Sequence, residues 1–282
     1  MKYRGLLLAI FFIVICLFSY NTVCAQDSTG QKQKTSWGIS TEWWSYSSFS
    51  QQKPTTPVQA SYPAIESRSF ALSILRSINR PYAHHDFTLT LSLPSSLDSD
   101  NGTGMNHLLD QNSHTYFRSN MDYRLSFPLF HRGDLRARHG MISGLLYENR
   151  KLHYLSGATE KTEDINLYIG PGIQLAYGLS SDWIIEGTFD GRFYLPYTNY
   201  GTLHAFNASG ISVFSSAYSG FYYQTLFKLG VSWQLPKKDK LQVGVVKNDL
   251  IGFASQKPSF YVTNVVHFKL DRLFHYYVRY RF

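Results

Sequence analysis

One polar segment of the chain combines carboxylates and imidazoles in a way that could move protons. Residues 94–114 hold three aspartates and two histidines and no Lys or Arg. These are Asp98, Asp100, His107, Asp110 and His114. A histidine oriented by a carboxylate can exchange protons with water, which is the basis of general acid–base hydrolysis. The segment also contains glycines, so the preferred interpretation is a flexible, solvated acidic connection that binds a divalent cation weakly.

Two further groups of residues invite a chemical interpretation. His84-His85-Asp86 follows a short turn, and we expect these residues to anchor the chain at an interface rather than to catalyse a reaction. His139 and Ser143 could form the Ser/His pair that a lipid-modifying site needs, but both fall on the outward parity of their segment. No phosphate-binding loop, dinucleotide fingerprint or metal-protease helix is present, so we expect no cofactor and no metal site.

The elements that must position all these residues are strands. Apolar and polar residues alternate with period two, which is typical of a strand with two different faces. Phe87, Leu89, Leu91 and Leu93 alternate with Asp86, Thr88, Thr90 and Ser92, for example. Several segments are about 12 to 18 residues long, against a usual strand length of about 5 to 6. The predicted strands are 36–49, 65–78, 82–93, 115–130, 134–150, 164–179, 182–195, 218–235, 240–250 and 259–282.

The connections between these strands alternate in length. Short turns are predicted at 79–81, 131–134, 180–182 and 236–240, and longer connections at 50–63, 94–114, 151–163, 196–217 and 251–258. Short turns on one side and long loops on the other are typical of a transmembrane antiparallel up-and-down β-barrel. We predict this all-β fold with about ten strands, twelve being the alternative, and the last segment as one strand with a bulge near Asp271.

The inward parity of the predicted strands carries many charges. The basic positions are Arg118, Arg124, Arg136, Arg138, Arg150, Arg192, Lys228, Lys269, Arg279 and Arg281. The acidic positions are Asp86, Asp122, Glu148, Glu186, Asp190 and Asp271. Because buried charges must be paired, we predict a lumen ion-pair network of Asp122, Arg124, Arg136, Arg138, Glu148, Glu186, Asp190, Arg192 and Lys228, with Asp122 pairing with Arg136 or Arg138. The alternative is a narrow pore that favours anions.

The start of the chain has the layout of a secretory signal. Lys2 and Arg4 precede an apolar run over 6–18, and Ala25 follows where a signal peptidase would cut. We therefore predict a signal peptide over 1–25, a short N-terminal segment over 26–35 and the barrel over 36–282. Lipidation at Cys24 is the less favoured alternative. Both cysteines of the chain, Cys16 and Cys24, precede the cut, so no disulfide is expected in the mature chain.

Composition excludes several classes of protein. Mean hydropathy is −0.22, and no apolar run after residue 25 approaches 18 residues, which excludes a helical membrane protein. Aromatic residues make up 16% of the chain, as expected where rings form girdles at membrane interfaces. The net charge is +8, and without Lys2 and Arg4 of the predicted signal the remaining excess of about +6 suits an anionic lipid surface. The sequence has no nucleic-acid-binding motif, so nucleic acid is not an expected partner.

The end of the chain resembles the C-terminal targeting signal of bacterial outer-membrane β-barrel proteins. Tyr276, Val278, Tyr280 and Phe282 match its pattern of alternating apolar residues that ends in an aromatic ring. The resemblance covers an architecture rather than a subfamily, and the Ala25-Gln26 junction looks like that of exported proteins of Bacteroidota. It implies an outer-membrane location, lipid and lipopolysaccharide as neighbours, and recognition of the last strand by the barrel-assembly machinery.

The expected function follows from this architecture only in outline. We expect a small outer-membrane barrel with a structural, surface-binding or narrow-channel role, whose partner proteins the sequence does not identify. The alternative is an enzyme at the extracellular rim, either lipid-modifying or similar to the omptin proteases. Those proteases are ten-stranded barrels with Asp and His residues at that rim, but no pair of Asp residues in this sequence matches their arrangement.

Overall fold

The computed structural model describes residues 34–53, 60–99, 115–153, 159–194, 197–207, 210–236, 239–256 and 265–282. These residues form twelve strands: β1 Lys34–Lys53, β2 Ala60–Asn79, β3 His84–Ser92, β4 Ser95–Ser99, β5 Thr115–Arg132, β6 Leu135–His153, β7 Thr159–Gly178, β8 Trp183–Tyr194, β9 Tyr197–Asn207, β10 Gly210–Gln234, β11 Lys240–Gln256 and β12 Val265–Arg281. The predicted signal peptide and nearly all of the predicted N-terminal segment lie outside the described residues.

The twelve strands make a closed antiparallel barrel of ten barrel strands. β4 continues β3, since both pair with β2 and β5, and β9 continues β8, since both pair with β7 and β10. The first and last strands close the ring, with Gly38 opposite Arg281 and Lys53 opposite Val266. Trp37 and Phe282 complete the seam through two backbone hydrogen bonds of 3.0 and 2.9 Å. The prediction of ten strands is confirmed, and closure leaves the sheet without an unpaired edge.

The two ends of the barrel differ in how the strands are joined. The turn end carries the short connections 80–83, 133–134, 179–182 and 235–239, together with the C-terminal Phe282. One of these turns uses Gly133 at φ 58°, a conformation that a residue without Cβ enters at little cost. The opposite end, called the loop end here, is where connections 54–59, 100–114, 154–158, 208–209 and 257–264 leave the strands.

The predicted long connection at 196–217 is wrong. β9 and the first part of β10 occupy most of it. The two strands pair with each other, with Tyr197 opposite Gly220 at one end of the pairing and Asn207 opposite Gly210 at the other. The segment lacks a clear apolar face, which is why its sequence does not suggest a strand. Backbone pairing needs no such face, so a barrel strand can continue beyond the membrane with Tyr, Thr and Ser side chains.

The predicted bulge near Asp271 is also wrong. β12 pairs with β1 and β11 without a shift of register along its described length. The irregularity lies instead in β5, between Pro128 and Phe130. Proline has no N–H for the ladder, so bulges and edges are where sheets accept it.

The alternation of side chains has the predicted direction. Large apolar residues such as Leu72 and Ile74 project outward and are more than half exposed, whereas Ser73 and Leu75, which alternate with them, are buried inside. Trp183 and Trp233 stack on the outer face near the turn end, with ring centroids 5.7 Å apart. An apolar outer wall with aromatic residues near its rim is the surface that a lipid bilayer covers. No helix capable of crossing a membrane occurs among the described residues.

Candidate functional site

The described interior has three levels, and the central one is a belt of buried ion pairs. Arg124 of β5 reaches across the interior to Asp190 of β8, with Nη2 2.5 Å from Oδ2. Arg192 Nη2 lies 3.3 Å from Asp122 Oδ1 and 3.8 Å from Asp190 Oδ2, the oxygen that Arg124 also binds. Asp190 has no exposed surface. Since a buried carboxylate is tolerated only when it is compensated, Arg124 and Arg192 hold this belt together.

The structure does not bring Asp122 together with Arg136 or Arg138, its expected partners. The register of β5 and β6 places Gly144 opposite Asp122, and Arg138 opposite Pro128. Six residues along a strand span roughly 20 Å, so Arg138 lies far from Asp122 although both face inward. Asp122 instead accepts hydrogen bonds from Tyr168 and Asn120 besides its ion pair with Arg192.

An inward glycine makes room for the belt. A Cβ on Gly172 would lie 2.6 Å from both Arg124 Nη1 and Asp190 Oδ1, which is closer than real contacts allow. The backbone at Gly172 therefore lies directly against the central ion pair.

The level above the belt, towards the loop end, contains buried aromatic and ion-paired side chains that pack against one another. Tyr116 stacks on Tyr46 with centroids 4.5 Å apart and donates a hydrogen bond of 2.7 Å to Glu148. Arg118 binds the same carboxylate oxygen at 3.1 Å, and its guanidinium lies over the ring of Trp44. Strands β1, β5 and β6 therefore touch one another through side chains in the interior.

A second cluster fills the rest of this level. Its six members are each less than a tenth exposed and come from five consecutive strands of the ring: Ile142, Leu146, Tyr168, Tyr194, Tyr222 and Leu250. Tyr194 also donates a hydrogen bond of 2.8 Å to Gln224. Buried side chains thus line this level continuously from β6 to β11.

The level below the belt, towards the turn end, is open. A cavity of about 580 Å³ occupies it, and the lining runs from the turn residues Asp134, Ser180 and Ser181 past the belt to Trp44 and Arg118. The cavity therefore reaches the turn end. On its wall, Glu186 accepts hydrogen bonds from Lys240 at 2.5 Å, Ser232 at 2.8 Å and Gln242 at 2.5 Å.

Glu42 is a lumen carboxylate that the sequence analysis missed. It accepts hydrogen bonds from Trp44 Nε1 at 2.9 Å and Ser73 Oγ at 2.6 Å, and lies 3.6 Å from His275 Nε2. The adjacent pair Trp43-Trp44 obscured the parity of β1. Trp43 points outward and meets Phe70 edge-on at 4.4 Å, whereas Trp44 points inward. The polar residues on the parity of Trp44 were the available signal.

Three members of the predicted ion-pair network, Lys228, Arg136 and Arg138, line the cavity. None of them forms an ion pair with a carboxylate in the described part of the chain. The ammonium of Lys228 lies instead 4.1 Å from the centroid of the Tyr277 ring. The side chains of Arg150, Lys269 and Asp271, which were assigned to the interior by parity, lie outside the described residues.

The histidine-containing segment at the turn end is divided between the two faces. His84 and Asp86 point inward and form a 3.0 Å contact, and Ser77 donates a 2.5 Å hydrogen bond to the same carboxylate oxygen. His85 points outward and bonds to Tyr123 at 2.9 Å. The carboxylate is shared between the serine and the histidine, so Ser77 is not activated by His84 as a nucleophile would be.

The other two candidate catalytic groups are not assembled by the described structure. His139 and Ser143 lie on the outer face of one strand, four residues and so roughly 13 Å apart, too far for a hydrogen bond. The side chains of the acidic segment lie outside the described residues: Asp98, Asp100, His107, Asp110 and His114. Within the described ranges, no cluster of His, Cys, Asp or Glu could hold a metal ion.

The residues of the predicted barrel-assembly signal share the outer face of β12 and its end. Tyr276, Val278, Tyr280 and Phe282 are all outward and substantially exposed. The Tyr280 hydroxyl donates a 2.5 Å hydrogen bond to Asp239 in a neighbouring turn. These four side chains therefore form one apolar stripe beside the seam of the barrel.

Comparison with known proteins supports the fold. The sequence matches no protein-family model and no curated protein sequence. Among solved structures, it is similar to the outer membrane protease OmpT from Escherichia coli, with a TM-score of 0.56 and 11% identity over 91% of this chain and 100% of that one. Weaker likenesses include the Ralstonia pickettii toluene transporter TbuX, with a TM-score of 0.40 and 10% identity over 88% of this chain and 90% of that one. The translocator domain of autotransporter NalP from Neisseria meningitidis has a TM-score of 0.36 and 8% identity over 99% of this chain and 98% of that one.

The class that emerges is the outer-membrane β-barrel. The closed antiparallel ring of ten barrel strands and the likeness to OmpT agree on this fold, and the fold supports a location in the outer membrane. At 11% identity the likeness concerns the fold alone. The function must therefore be argued from the interior of this chain.

Proposed function

We propose that this protein is a non-conducting outer-membrane barrel that anchors and presents its loop end at the cell surface. The observation that carries the proposal is the packed level between the ion-pair belt and the loop end. There, buried side chains from five consecutive strands of the ring, β6 round to β11, form one cluster. A barrel of this size leaves room for side chains or one small ligand, and here side chains fill that room in the loop half.

The alternative of a narrow anion-selective pore is disfavoured by the same packing. Selectivity by a ring of basic groups requires a continuous aqueous path past them. The belt of Arg124, Asp190, Arg192 and Asp122 is internally compensated, and the aromatic level above it offers hydrocarbon rather than water. The charges of the interior therefore serve to hold the barrel wall together across its lumen.

The orientation and assembly that we propose rest on the rules for such barrels. Short turns face the periplasm and long loops face outward, which places the turn end inside the cell envelope. Residues 1–25 direct export and are then removed, and the Ala25-Gln26 junction suggests an origin in Bacteroidota. The stripe of Tyr276, Val278, Tyr280 and Phe282 is what the barrel-assembly machinery recognises. Lipid and lipopolysaccharide then cover the apolar outer wall.

The mature chain lacks cysteine in this proposal, so single cysteines can test its orientation cleanly. Ser156→Cys introduces a thiol into the predicted connection 151–163, and Ser181→Cys introduces one into an exposed turn at the turn end. A maleimide on a large polyethylene glycol should label the first variant on intact cells and the second only after the outer membrane is permeabilised. Labelling of Ser181→Cys on intact cells, with Ser156→Cys protected, would refute the orientation.

A further inference from the structure

The cavity at the turn end has more positive charge than its own side chains neutralise. Lys228, Arg279 and Arg281 lie along one wall, on β10 and β12, and all three line the cavity. None forms an ion pair with a carboxylate of the described residues. Arg279 is 7% exposed, so this is a nearly buried guanidinium with no carboxylate of the described residues within ion-pair distance. Buried charges require compensation, whether by a side chain, by water or by a ligand.

The nearest carboxylates on this wall are already engaged. Both oxygens of Glu186 accept hydrogen bonds, one from Lys240 and the other from Ser232 and Gln242. Both oxygens of Glu42 are likewise bonded, one to Ser73 and the other to Trp44. Neither acid therefore has an oxygen without a hydrogen bond, and Asp86, the third acid facing these cations, forms its contact with His84 and no ion pair with any of the three.

An aromatic ring holds two of the cations in place without neutralising them. Lys228 Nζ and Arg279 Cζ lie 4.1 and 5.5 Å from the centroid of Tyr277. The Tyr277 ring reaches over the glycines of two neighbouring strands, and a Cβ on Gly244 would lie 2.6 Å from its hydroxyl oxygen. A cation–π contact orients a cation but leaves its charge unchanged. The positions of the positive charges are thus fixed by the wall itself.

Several donors of this wall have no partner in the structure. They are the Nε atoms of Arg279 and Arg281 and the hydroxyl of Tyr277, all buried atoms. Buried donors are nearly always hydrogen-bonded in native proteins, so a cluster of unpartnered ones marks a place for an acceptor. The acceptor that also neutralises the three cations is an anion.

We propose that Lys228, Arg279 and Arg281 form a binding site for a small phosphate-bearing anion that enters from the turn end. The planar fork of an arginine matches phosphate oxygens in a bidentate manner, and a lysine adds a point charge. The cavity volume of about 580 Å³ is within the range of small-ligand sites. The ligand is a free phosphorylated solute rather than a lipid, because the cavity opens at an end of the barrel and the wall of strands separates it from the bilayer. This site goes beyond the anchoring role and does not depend on it.

The test is calorimetric titration of the purified, detergent-solubilised mature protein with inorganic pyrophosphate. We expect saturable binding at one site, weakened at least tenfold by Arg279→Gln and by Lys228→Gln. Arg132→Gln removes the same charge from an exposed position at the turn end and should leave the affinity unchanged. A shift of electrophoretic mobility on boiling, retained in every variant, shows that the barrel is folded.

The controls separate a phosphate site from general attraction of ions. Chloride at matched ionic strength should fail to compete; if it displaces pyrophosphate completely, the cavity holds an adventitious ion only. Binding of dihexanoyl phosphatidic acid in place of pyrophosphate would assign the phosphate site to a lipid headgroup and overturn the choice of a free solute. Absence of binding by both probes, or equal binding by the Arg279→Gln variant, would overturn the site.

Discussion

The two halves of the lumen are built from the same strands and yet have opposite character. Towards the loop end, inward positions carry large side chains, such as Tyr194 on β8 and Leu250 on β11, which close the interior. Towards the turn end, β8 presents the smaller side chain of Thr188 to a cavity. The arginine–aspartate belt lies between the halves. The size of the inward side chain along each strand, rather than the fold, therefore decides where the barrel is solid.

This difference has a consequence for stability and another for binding. In the loop half, removal of a side chain leaves a void that neighbours cannot fill, because interiors are close-packed. In the turn half, the walls already face space that can hold water or solute. Substitutions matched for chemistry and strand should therefore have different effects in the two halves. The free energy of unfolding, from urea titration in detergent, measures the difference.

The largest effect is expected at the belt. Asp190→Asn removes the carboxylate that compensates Arg124 and Arg192 while keeping its volume. Removing one partner of a buried ion pair costs about 3–5 kcal/mol, so the midpoint of unfolding should fall sharply. The matched control is Asp182→Asn, the same change in an exposed turn, which should stay within about 0.5 kcal/mol of the wild type. Equal effects of both changes would mean that the belt does not hold the barrel together.

The next largest loss of unfolding free energy is expected when two inward positions of β8 are compared. Tyr194→Ala removes a ring that is 5% exposed and should cost about 3–4 kcal/mol, as deletion of a buried aromatic side chain does. Thr188→Ala, six residues away on the cavity wall, should cost less than about 1 kcal/mol, because it leaves no new enclosed void. Similar losses at the two positions would contradict the contrast between the halves.

A smaller change in unfolding free energy is expected when alanine replaces either of two inward glycines of β7. A Cβ on Gly170 would overlap the carbonyl oxygen of Gly191, a backbone atom that cannot turn away. Gly170→Ala should therefore cost about 1–3 kcal/mol through overpacking. A Cβ on Gly178 would be no closer than 3.5 Å to Asp134, so Gly178→Ala should be neutral or stabilise by up to about 1 kcal/mol. A destabilised Gly178→Ala variant would show that the turn half is packed as well.

The smallest effect is expected in the acidic connection. Alanine at Asp98 near the end of β4, or at Asp100 or His107, should leave the unfolding midpoint nearly unchanged, because none of these substitutions alters the backbone pairing of a strand. The same variants decide the enzyme alternative. We expect any hydrolysis of peptides by the purified barrel to be equal in all three variants and the wild type. Loss of such an activity in one of them would assign that residue to a catalytic site at the rim.

The sequence predicts well whether a side chain points into or out of the barrel. It predicts poorly which other side chain will be its partner. Period-two alternation reports the face directly, so the ten barrel strands and the inward direction of Asp122 and Arg124 follow from it. The partner of a charged side chain depends on strand register and on contacts across the lumen, and the alternation of residue types carries no information about either. Asp122 therefore meets Arg192 of β8 rather than the arginines of β6.

The remaining differences have local causes. Adjacent aromatic residues hid the parity of Trp44 and with it the inward Glu42. The sequence of β9 has no apolar alternation, although its backbone pairs with β7 and β10. The cavity depends on where glycines and threonines coincide on neighbouring strands. Only the assembled register brings such residues together.

The central claim is that the loop half of the lumen is closed, and single-channel recording in a planar bilayer tests it most directly. We predict that the wild-type barrel gives no conductance steps. A Tyr194→Ala/Leu250→Ala variant, which removes side chains from opposite sides of the cluster, should give them if it stays folded. Reproducible anion-favouring steps from the wild-type protein would contradict the account, since ions could then pass the belt and the aromatic level.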